Sequence, residues 1–354
     1  MTTVGIIANP ASGKDIRRLV AYGSVFDNQE KVRIVRRLLL GLAALGVDRV
    51  CFLPDSFGIV PRALDQIQIP TTVFPADFRA RGEQDDSTRA ARIMEELGAG
   101  CILTLGGDGT NRVVAKGTTS VPVLPISTGT NNVFPVMIEA TVAGVAAALV
   151  ARGLVPLEES TFRSTKLEVL LDGKAVDLAL VDAVVCDEAF VGSRAVWDLA
   201  TVRQIVLNRA DPGTIGFSSI GGLLHSIAPD APEGLALELG TGGRPVTAPV
   251  APGMVQTVHV VSCRVLKLGE EMVVRCLPSV IALDGEREVE VRAGQRAAIR
   301  VVEGGPLVVD VKRTMSAAAK RGVLAPAGAK TAPEPSALPE AMKKIVERSR
   351  SFGA

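Results

Sequence analysis

The first half of the chain alternates short apolar runs with stretches of helical periodicity, and this alternation is the strongest constraint on its fold. Residues 4–8, 101–105 and 122–126 are short apolar runs that are typical of buried strands. Between such runs, residues 29–45 repeat apolar side chains at the spacing of one helix face. Strands and helices in alternation predict a parallel sheet covered by helices on both faces.

The periodicity changes from helical toward alternating near residue 160. Two Asp-Gly pairs, at 172–173 and 284–285, lie between apolar runs of this second half. Asp-Gly in that setting is a strong signal for a hairpin turn. The second half is therefore predicted to be mainly antiparallel β structure.

These two patterns predict an α/β protein with two domains and a tail. Residues 1–158 are expected to form an α/β domain, and residues 159–312 a β-rich domain. Residues 313–354 are expected to form the tail, in which an Ala- and Pro-rich linker leads to a short basic helix at 341–350. The total of 354 residues agrees with about 150 residues per domain.

Charge and aromatic content exclude whole classes of partner. The chain has 39 Lys and Arg against 38 Asp and Glu, so it lacks the concentrated positive field of a nucleic-acid binder. Aromatic residues are only 3%, which argues against a protein that stacks single-stranded bases. No nucleic-acid partner is predicted.

Other features of the composition favour a cytoplasmic protein without a membrane or metal partner. No apolar run approaches the roughly 20 residues of a membrane span, and no basic segment precedes the first apolar run as in a secretory signal. The five cysteines are scattered, which is typical of buried thiols in a reducing compartment. Only two histidines are present and no Cys/His ligands are paired, so no protein-bound metal site is predicted.

Three polar loops follow three of the predicted strands of the first domain. They comprise residues 9–14, 106–110 and 127–132 and are rich in Gly, Ser and Thr. The carboxyl ends of strands in an open α/β sheet meet at one crevice, where ligands bind. Backbone N–H groups and hydroxyls at such turns bind phosphate oxygens. Each loop alone is also explained as a good turn and helix cap, but three converging loops favour a phosphate site.

Asp108 stands among three glycines in the second loop, where a carboxylate repels phosphate unless it has a chemical role. It can accept a proton from an attacking hydroxyl, or face a Mg²⁺ ion that bridges phosphates. The alternative is an N-cap of the following helix. The familiar phosphate motifs do not fit: both the Walker loop and the dinucleotide fingerprint G-x-G-x-x-G are absent.

Three ordered motifs carry a resemblance to a known superfamily. Residues 106–110 resemble the GGDGT motif shared by NAD kinases, diacylglycerol kinases and sphingosine-type lipid kinases. Residues 9–13 resemble the NPxSG opening of the lipid kinases, and residues 284–286 resemble the late DGE element. The chain thus looks like a member of the NAD kinase/diacylglycerol kinase-like superfamily. The resemblance implies an α/β nucleotide-binding domain, a β-rich domain and a catalytic cleft between them.

Within that superfamily, residues 128–135 and 190–197 look typical of the acetoin catabolism protein X group, which is ATP-NAD kinase-like. Residues 248–253 are similar to the PIAPH-type segment of NAD kinases. The resemblance implies an ATP-dependent kinase of the ribose 2′-hydroxyl of NAD, with ATP or polyphosphate as donor and with Mg²⁺. It also implies a homo-oligomer that acts on small nucleotide substrates.

The resemblance also implies roles for particular residues. Asp108 would be the catalytic base or charge partner. Asn131 and Asn132 would contact a ribose or adenine edge, or else cap a helix predicted at 133–152. Asp182 would meet a ribose hydroxyl, or else be an ordinary carboxylate at the end of a strand. The residues expected to bind the nucleotide phosphates are Asn9, Ser12, Gly13, Lys14, Gly106, Gly107, Gly109, Thr110, Thr128, Gly129 and Thr130.

Two other functions stay open at this point. A lipid kinase is suggested by the NPxSG-like opening, although residues 111–113 lack the Leu-Asn-Glu that follows GGDGT in lipid kinases. A non-catalytic nucleotide-binding regulator linked to acetoin catabolism is suggested by Val181, which stands where NAD kinases have Asn.

Two further groups of residues receive a structural interpretation. Asp284 is expected to shape a turn. Four basic residues are expected to form the solvated side of the first helix, namely Lys31, Arg33, Arg36 and Arg37.

Overall fold

The structure is a computed structural model that describes residues 1–12, 22–23, 26–188 and 199–325. Gly13 and Lys14, two of the expected phosphate-binding residues, lie outside the described residues, as does the short helix expected at 341–350.

The first domain contains the predicted parallel sheet, with strand order β3-β2-β1-β4-β5. Strands β2 and β3 are thus added on one side of β1, and β4 and β5 on the other. An open parallel sheet forms a binding crevice at the point where the strand order reverses in this way. Apolar clusters cover both faces of the sheet. In chain order the elements are β1 Thr3–Ala8, α1 Asn28–Ala44, β2 Arg49–Phe52, α2 Ile59–Leu64, β3 Thr72–Pro75, α3 Asp85–Glu96, β4 Cys101–Gly106, α4 Asp108–Ala115, β5 Val123–Ser127, α5 Ala140–Ala151, α6 Leu157–Ser160 and β6 Thr161–Arg163.

The second half forms antiparallel sheets, which confirms the predicted change of architecture. A six-stranded sheet has the order β12-β11-β10-β9-β14-β15, and a four-stranded sheet has the order β13-β16-β7-β8. Both Asp-Gly pairs form the predicted turns, with the aspartates at φ values of 49° and 51°. The elements are β7 Lys166–Leu171, β8 Lys174–Ala179, β9 Asp182–Cys186, β10 Val202–Leu207, α7 Phe217–Gly222, β11 Glu233–Ala251, β12 Met254–Lys267, β13 Glu271–Val273, β14 Ser279–Leu283, β15 Glu286–Val291 and β16 Ala297–Val302.

After these sheets the chain returns to the first one. Strand β17, Leu307–Val309, pairs in parallel with β5 and antiparallel with β6, so it extends the parallel sheet. Helix α8, Val311–Lys320, then packs Ala317 and Ala318 against Leu149 of α5. No helix among the described residues is long and apolar enough to cross a membrane.

The helix predicted at 133–152 is shorter than expected. It begins only at Ala140, where the Glu139 carboxylate caps it by accepting the N–H of Val142 at 3.1 Å. Val136 instead forms an isolated parallel bridge with Ile126 of β5, and its carbonyl oxygen accepts the N–H of Ser127 at 2.9 Å. The predicted start was wrong because helical periodicity in a sequence does not show which backbone groups are hydrogen-bonded outside the helix. The backbone just before α5 is bonded to β5 instead.

Helices α1 and α5 pack closely through two glycines, Gly41 and Gly144. A Cβ atom added at Gly144 would lie 2.6 Å from the Leu38 carbonyl oxygen. We expect Gly144→Ala to lower the free energy of unfolding by about 1–3 kcal/mol, because the clash with backbone outweighs the gain in helix propensity. Urea unfolding measures this, with Val142→Ala on the exposed side of α5 as control. An unchanged midpoint for Gly144→Ala would contradict the close packing.

Candidate active site at the ends of three strands

The three polar loops meet at the carboxyl ends of β1, β4 and β5. The Asn9 side-chain amide donates to the Thr110 hydroxyl at 3.0 Å. The hydroxyls of Ser12 and Thr128 lie 3.1 Å apart, within hydrogen-bond distance. Because each contact joins residues more than 100 positions apart in the sequence, the loops form one continuous surface.

Two glycines let the loops approach this closely. A Cβ atom at Gly106 would lie 2.4 Å from the Thr110 hydroxyl oxygen, and one at Gly107 would lie 2.7 Å from the side-chain oxygen of Asn132. Neither glycine has a positive φ, so the requirement is space rather than backbone freedom. The space is filled by side chains from the same site.

Asp108 is half-buried and is the first residue of α4, but it does not cap that helix. The N-cap position is Gly107, which has no side-chain cap. Instead, Oδ1 of Asp108 accepts the N–H of Phe134 at 2.7 Å, and both oxygens accept the N–H of Val133 at 3.0 and 3.1 Å. These bonds bind the ionised carboxylate and fix its orientation. The N-cap interpretation of Asp108 is therefore wrong.

Arg112 lies one turn beyond Asp108 and connects α4 to the second domain. Its side chain is 1% exposed and forms ion pairs with Asp177 at 3.2 Å and Glu288 at 2.9 Å. Lys116, a further turn along, pairs with the other oxygen of Asp177 at 2.6 Å. The helix that begins with Asp108 is thus held to the β-rich domain by carboxylates from two of its strands.

Asp284 forms the predicted turn and also lies beside the site. Its buried carboxylate accepts the N–H of Leu180 at 3.0 Å and of Val181 at 2.8 Å. Burial raises the pKa of Asp284 to about 7; the Arg112 charge opposes this rise and the Asp108 charge adds to it. The sequence predicted the turn but not this second carboxyl group near Asp108.

Arg209, which follows β10, is a buried cation that the sequence analysis missed. Its guanidinium lies over the Phe134 ring at 4.5 Å from the centroid and donates to the Ser164 hydroxyl at 2.9 Å. Burial lowers the pKa of Arg209 to about 10, while the charges of Asp108 and Asp284 raise it. No local motif surrounds Arg209, so only the fold reveals its proximity to Asp108.

The three residues expected to contact the acceptor, Asn131, Asn132 and Asp182, differ in burial and in hydrogen bonding. Asn132 supports its own loop, because its amide nitrogen donates to the Ser127 hydroxyl at 2.8 Å. Asn131 is half-buried and Thr130 is exposed at the same loop. Asp182 is buried, and its N–H donates to the Asp284 carboxylate at 3.3 Å.

Lys31 corrects the interpretation of the basic residues on the first helix. It is fully buried, and its ammonium group donates to the carbonyl oxygens of Asn9 at 2.8 Å and Ser12 at 2.7 Å, and to the Asn28 side chain at 3.2 Å. Arg33 is exposed as expected. The charge pattern alone could not separate the two, because the loop that Lys31 holds is distant in sequence.

The described residues contain no group of three or more His, Cys, Asp or Glu side chains that could hold a metal ion. Mg²⁺ differs from most metals in this respect, because it keeps several waters and is bound largely through substrate phosphates. A Mg²⁺ ion bound in this way would not require a cluster of protein ligands beside Asp108.

Two family models and a curated relative match most of this chain. Residues 4–154 match the family model of the ATP-NAD kinase N-terminal domain, and residues 165–304 match that of the acetoin catabolism protein X C-terminal domain. Acetoin catabolism protein X of Cupriavidus necator is 38% identical over 349 residues, which cover 95% of this chain and 96% of that protein. A crystal structure of yeast NADH kinase complexed with NADH is similar over 94% of this chain and 90% of that chain, with 13% identity and a TM-score of 0.47.

The raised pKa of Asp284 predicts a pH-dependent stability. Its folded-state value of about 7 lies above the ordinary 3.8, so the folded state keeps a proton that the unfolded state has released. Stability contributed by this proton is fully present below about pH 3.8 and is lost progressively as pH rises from there to about 7. Relative to Asp284→Asn, the wild type should therefore lose up to about 1.4 kcal/mol of unfolding free energy per pH unit in this window.

Urea unfolding of both proteins at several pH values tests this expectation. Asp172→Asn is the matched control, because Asp172 occupies the other Asp-Gly turn but is exposed. A difference between Asp284→Asn and wild type that stays constant with pH would contradict the assignment.

The contacts of Lys31 predict a second stability effect. Lys31→Met removes the donor to the Asn9 and Ser12 carbonyl oxygens, and we expect a loss of about 1–3 kcal/mol of unfolding free energy. Arg33→Met, on the exposed side of the same helix, should change it by less than about 0.5 kcal/mol. Equal effects of the two substitutions would show that Lys31 does not hold the first loop.

Proposed function

The chain belongs to the acetoin catabolism protein X family, and from this premise we propose that it is an ATP-dependent phosphotransferase. Its acceptor is the 2′-hydroxyl of the adenosine ribose of NAD, and the product is NADP. The match of residues 4–154 to the ATP-NAD kinase N-terminal domain supports this proposal. The observation that carries it is the closure of three strand-end loops around Asp108.

Phosphoryl transfer depends on positioning and charge neutralisation more than on covalent chemistry by the protein. In this proposal the phosphates of ATP lie against residues 9–12 and 127–130 and the start of α4, where N–H groups and hydroxyls are concentrated. Mg²⁺ bound to the ATP phosphates would supply charge neutralisation at this site. Lys31 keeps the first loop in place from beneath.

Asp108 acts on the acceptor. As the ribose 2′-oxygen forms its bond to the γ-phosphorus, the bond from that phosphorus to the bridging oxygen of ADP breaks, and Asp108 accepts the hydroxyl proton. Bonds from the N–H groups of Val133 and Phe134 hold the carboxylate in one orientation during this step. Asn131, Asn132 and Asp182 belong to the acceptor side of the proposed site. We propose a cytoplasmic location because the scattered cysteines are typical of a reducing compartment, and a homo-oligomer because the sequence resembles NAD kinases.

A non-catalytic nucleotide-binding regulator is the second candidate. It is favoured by the burial of Asp182, because a carboxylate that is 7% exposed offers little surface to a ribose hydroxyl. A regulator would show melting-point shifts with NAD but no turnover with ATP or polyphosphate.

We expect Asp108→Asn to lower kcat for NADP formation from NAD, ATP and Mg²⁺ by at least about 100-fold, because the amide cannot accept the proton. The Asn side-chain oxygen can still accept the N–H of Phe134, so the loop should stay folded and the melting point should change little. Asp85→Asn is the matched control, since Asp85 is an exposed acidic residue in the first turn of α3. A fully active Asp108→Asn enzyme would refute the role of Asp108.

A further inference from the structure

Arg209 carries a charge that is removed from water without an ion pair among the described residues. Its side chain is 5% exposed, and Nε has no hydrogen-bond partner. Burying such a cation is costly unless other groups compensate it. Arg112, the other buried arginine of the site, differs because two carboxylates pair with it. Arg209 is therefore the buried cation whose presence requires an explanation.

The contacts of Arg209 lead directly to Asp108. Its guanidinium lies 4.5 Å from the centroid of the Phe134 ring, a distance at which the cation and the ring attract each other. The backbone N–H of the same Phe134 donates to the Asp108 carboxylate at 2.7 Å. Arg209, Phe134 and Asp108 thus form a chain of contacts from the β-rich domain to the carboxylate.

The position of Arg209 is itself fixed by its own domain. Its guanidinium donates to Ser164, which is 1% exposed, and its carbonyl oxygen accepts the hydroxyl of Ser218 in α7 at 3.2 Å. Phe134, in contrast, lies in the irregular segment before α5. The pair therefore joins an arginine held by the β-rich domain to the segment whose N–H groups bind Asp108.

We infer that Arg209 is a positioning residue of the site. By holding the Phe134 ring, it keeps the backbone of residues 133–134 against Asp108, so the β-rich domain sets the orientation of a carboxylate in the α/β domain. The kinetic consequences of this inference rest on the proposed function, whereas its structural consequences do not.

Amide hydrogen exchange resolved by NMR measures the structural consequence. In Arg209→Met the Val133 and Phe134 amides should exchange roughly tenfold faster than in wild type, because the ring contact is lost. Phe134→Leu removes the ring but keeps the backbone N–H, and it should produce a similar increase. The double variant should exceed neither single variant, since both remove the same contact. Arg203→Met, an exposed arginine on β10, should leave both amides unchanged.

Enzyme kinetics distinguish a positioning role of Arg209 from a role in which its side chain only fills space. Arg209→Met should lower kcat about tenfold while KM for ATP stays within about twofold, because the phosphate loops are untouched. Arg209→Lys keeps a cation over the ring and should recover part of that loss at an equal melting point. A residue that only fills space would be replaced as well by Met as by Lys.

The following results would support or overturn the positioning role of Arg209. Unchanged exchange at residues 133 and 134 in a folded Arg209→Met protein would overturn the inference. Should that variant not fold, unchanged exchange in Phe134→Leu would overturn it instead. Faster exchange together with a wild type that makes no NADP would support the positioning role and reject the proposed function.

Discussion

The bonds from the backbone of Val133 and Phe134 to the Asp108 carboxylate are the interaction on which the rest of the site depends. They join the start of α4 to the segment that follows β5, so two neighbouring strand ends cannot separate without breaking them. They also use an ionised carboxylate as a structural acceptor, which fixes its direction before any substrate arrives. A preorganised charge of this kind costs no rearrangement during a reaction.

The surroundings of that carboxylate come from both domains. Arg112 belongs to the α/β domain but pairs with carboxylates of the β-rich domain, whereas Arg209 belongs to the β-rich domain and contacts Phe134. Asp284 adds a carboxyl group whose pKa of about 7 reflects its burial, so its charge varies near neutral pH. The electrostatic environment of Asp108 is therefore a joint property of the two domains.

Local patterns predicted the sheet, the Asp-Gly hairpins and the meeting of the three loops, because periodicity and turn chemistry act over a few residues. The same patterns misplaced the start of α5, because the backbone of the segment before it is hydrogen-bonded outside the helix. They also missed the environment of Lys31, because its partners lie about 20 residues earlier in the chain. Arg209 carried no local signal at all. Buried charges are recognised only when the fold shows what surrounds them, and the site contains several. The roles of the loop residues in binding remain predictions.

Strands β6 and β17 are neighbours in the parallel sheet and pair through Leu307 and Arg163, although a whole β-rich domain separates them in sequence. The chain therefore enters and leaves the β-rich domain through two adjacent strands at the edge of the parallel sheet. Such an arrangement keeps the parallel sheet continuous although the chain leaves it and returns. It also gives any rotation between the two units a single two-stranded pivot, located beside β5, the strand from which the third loop emerges.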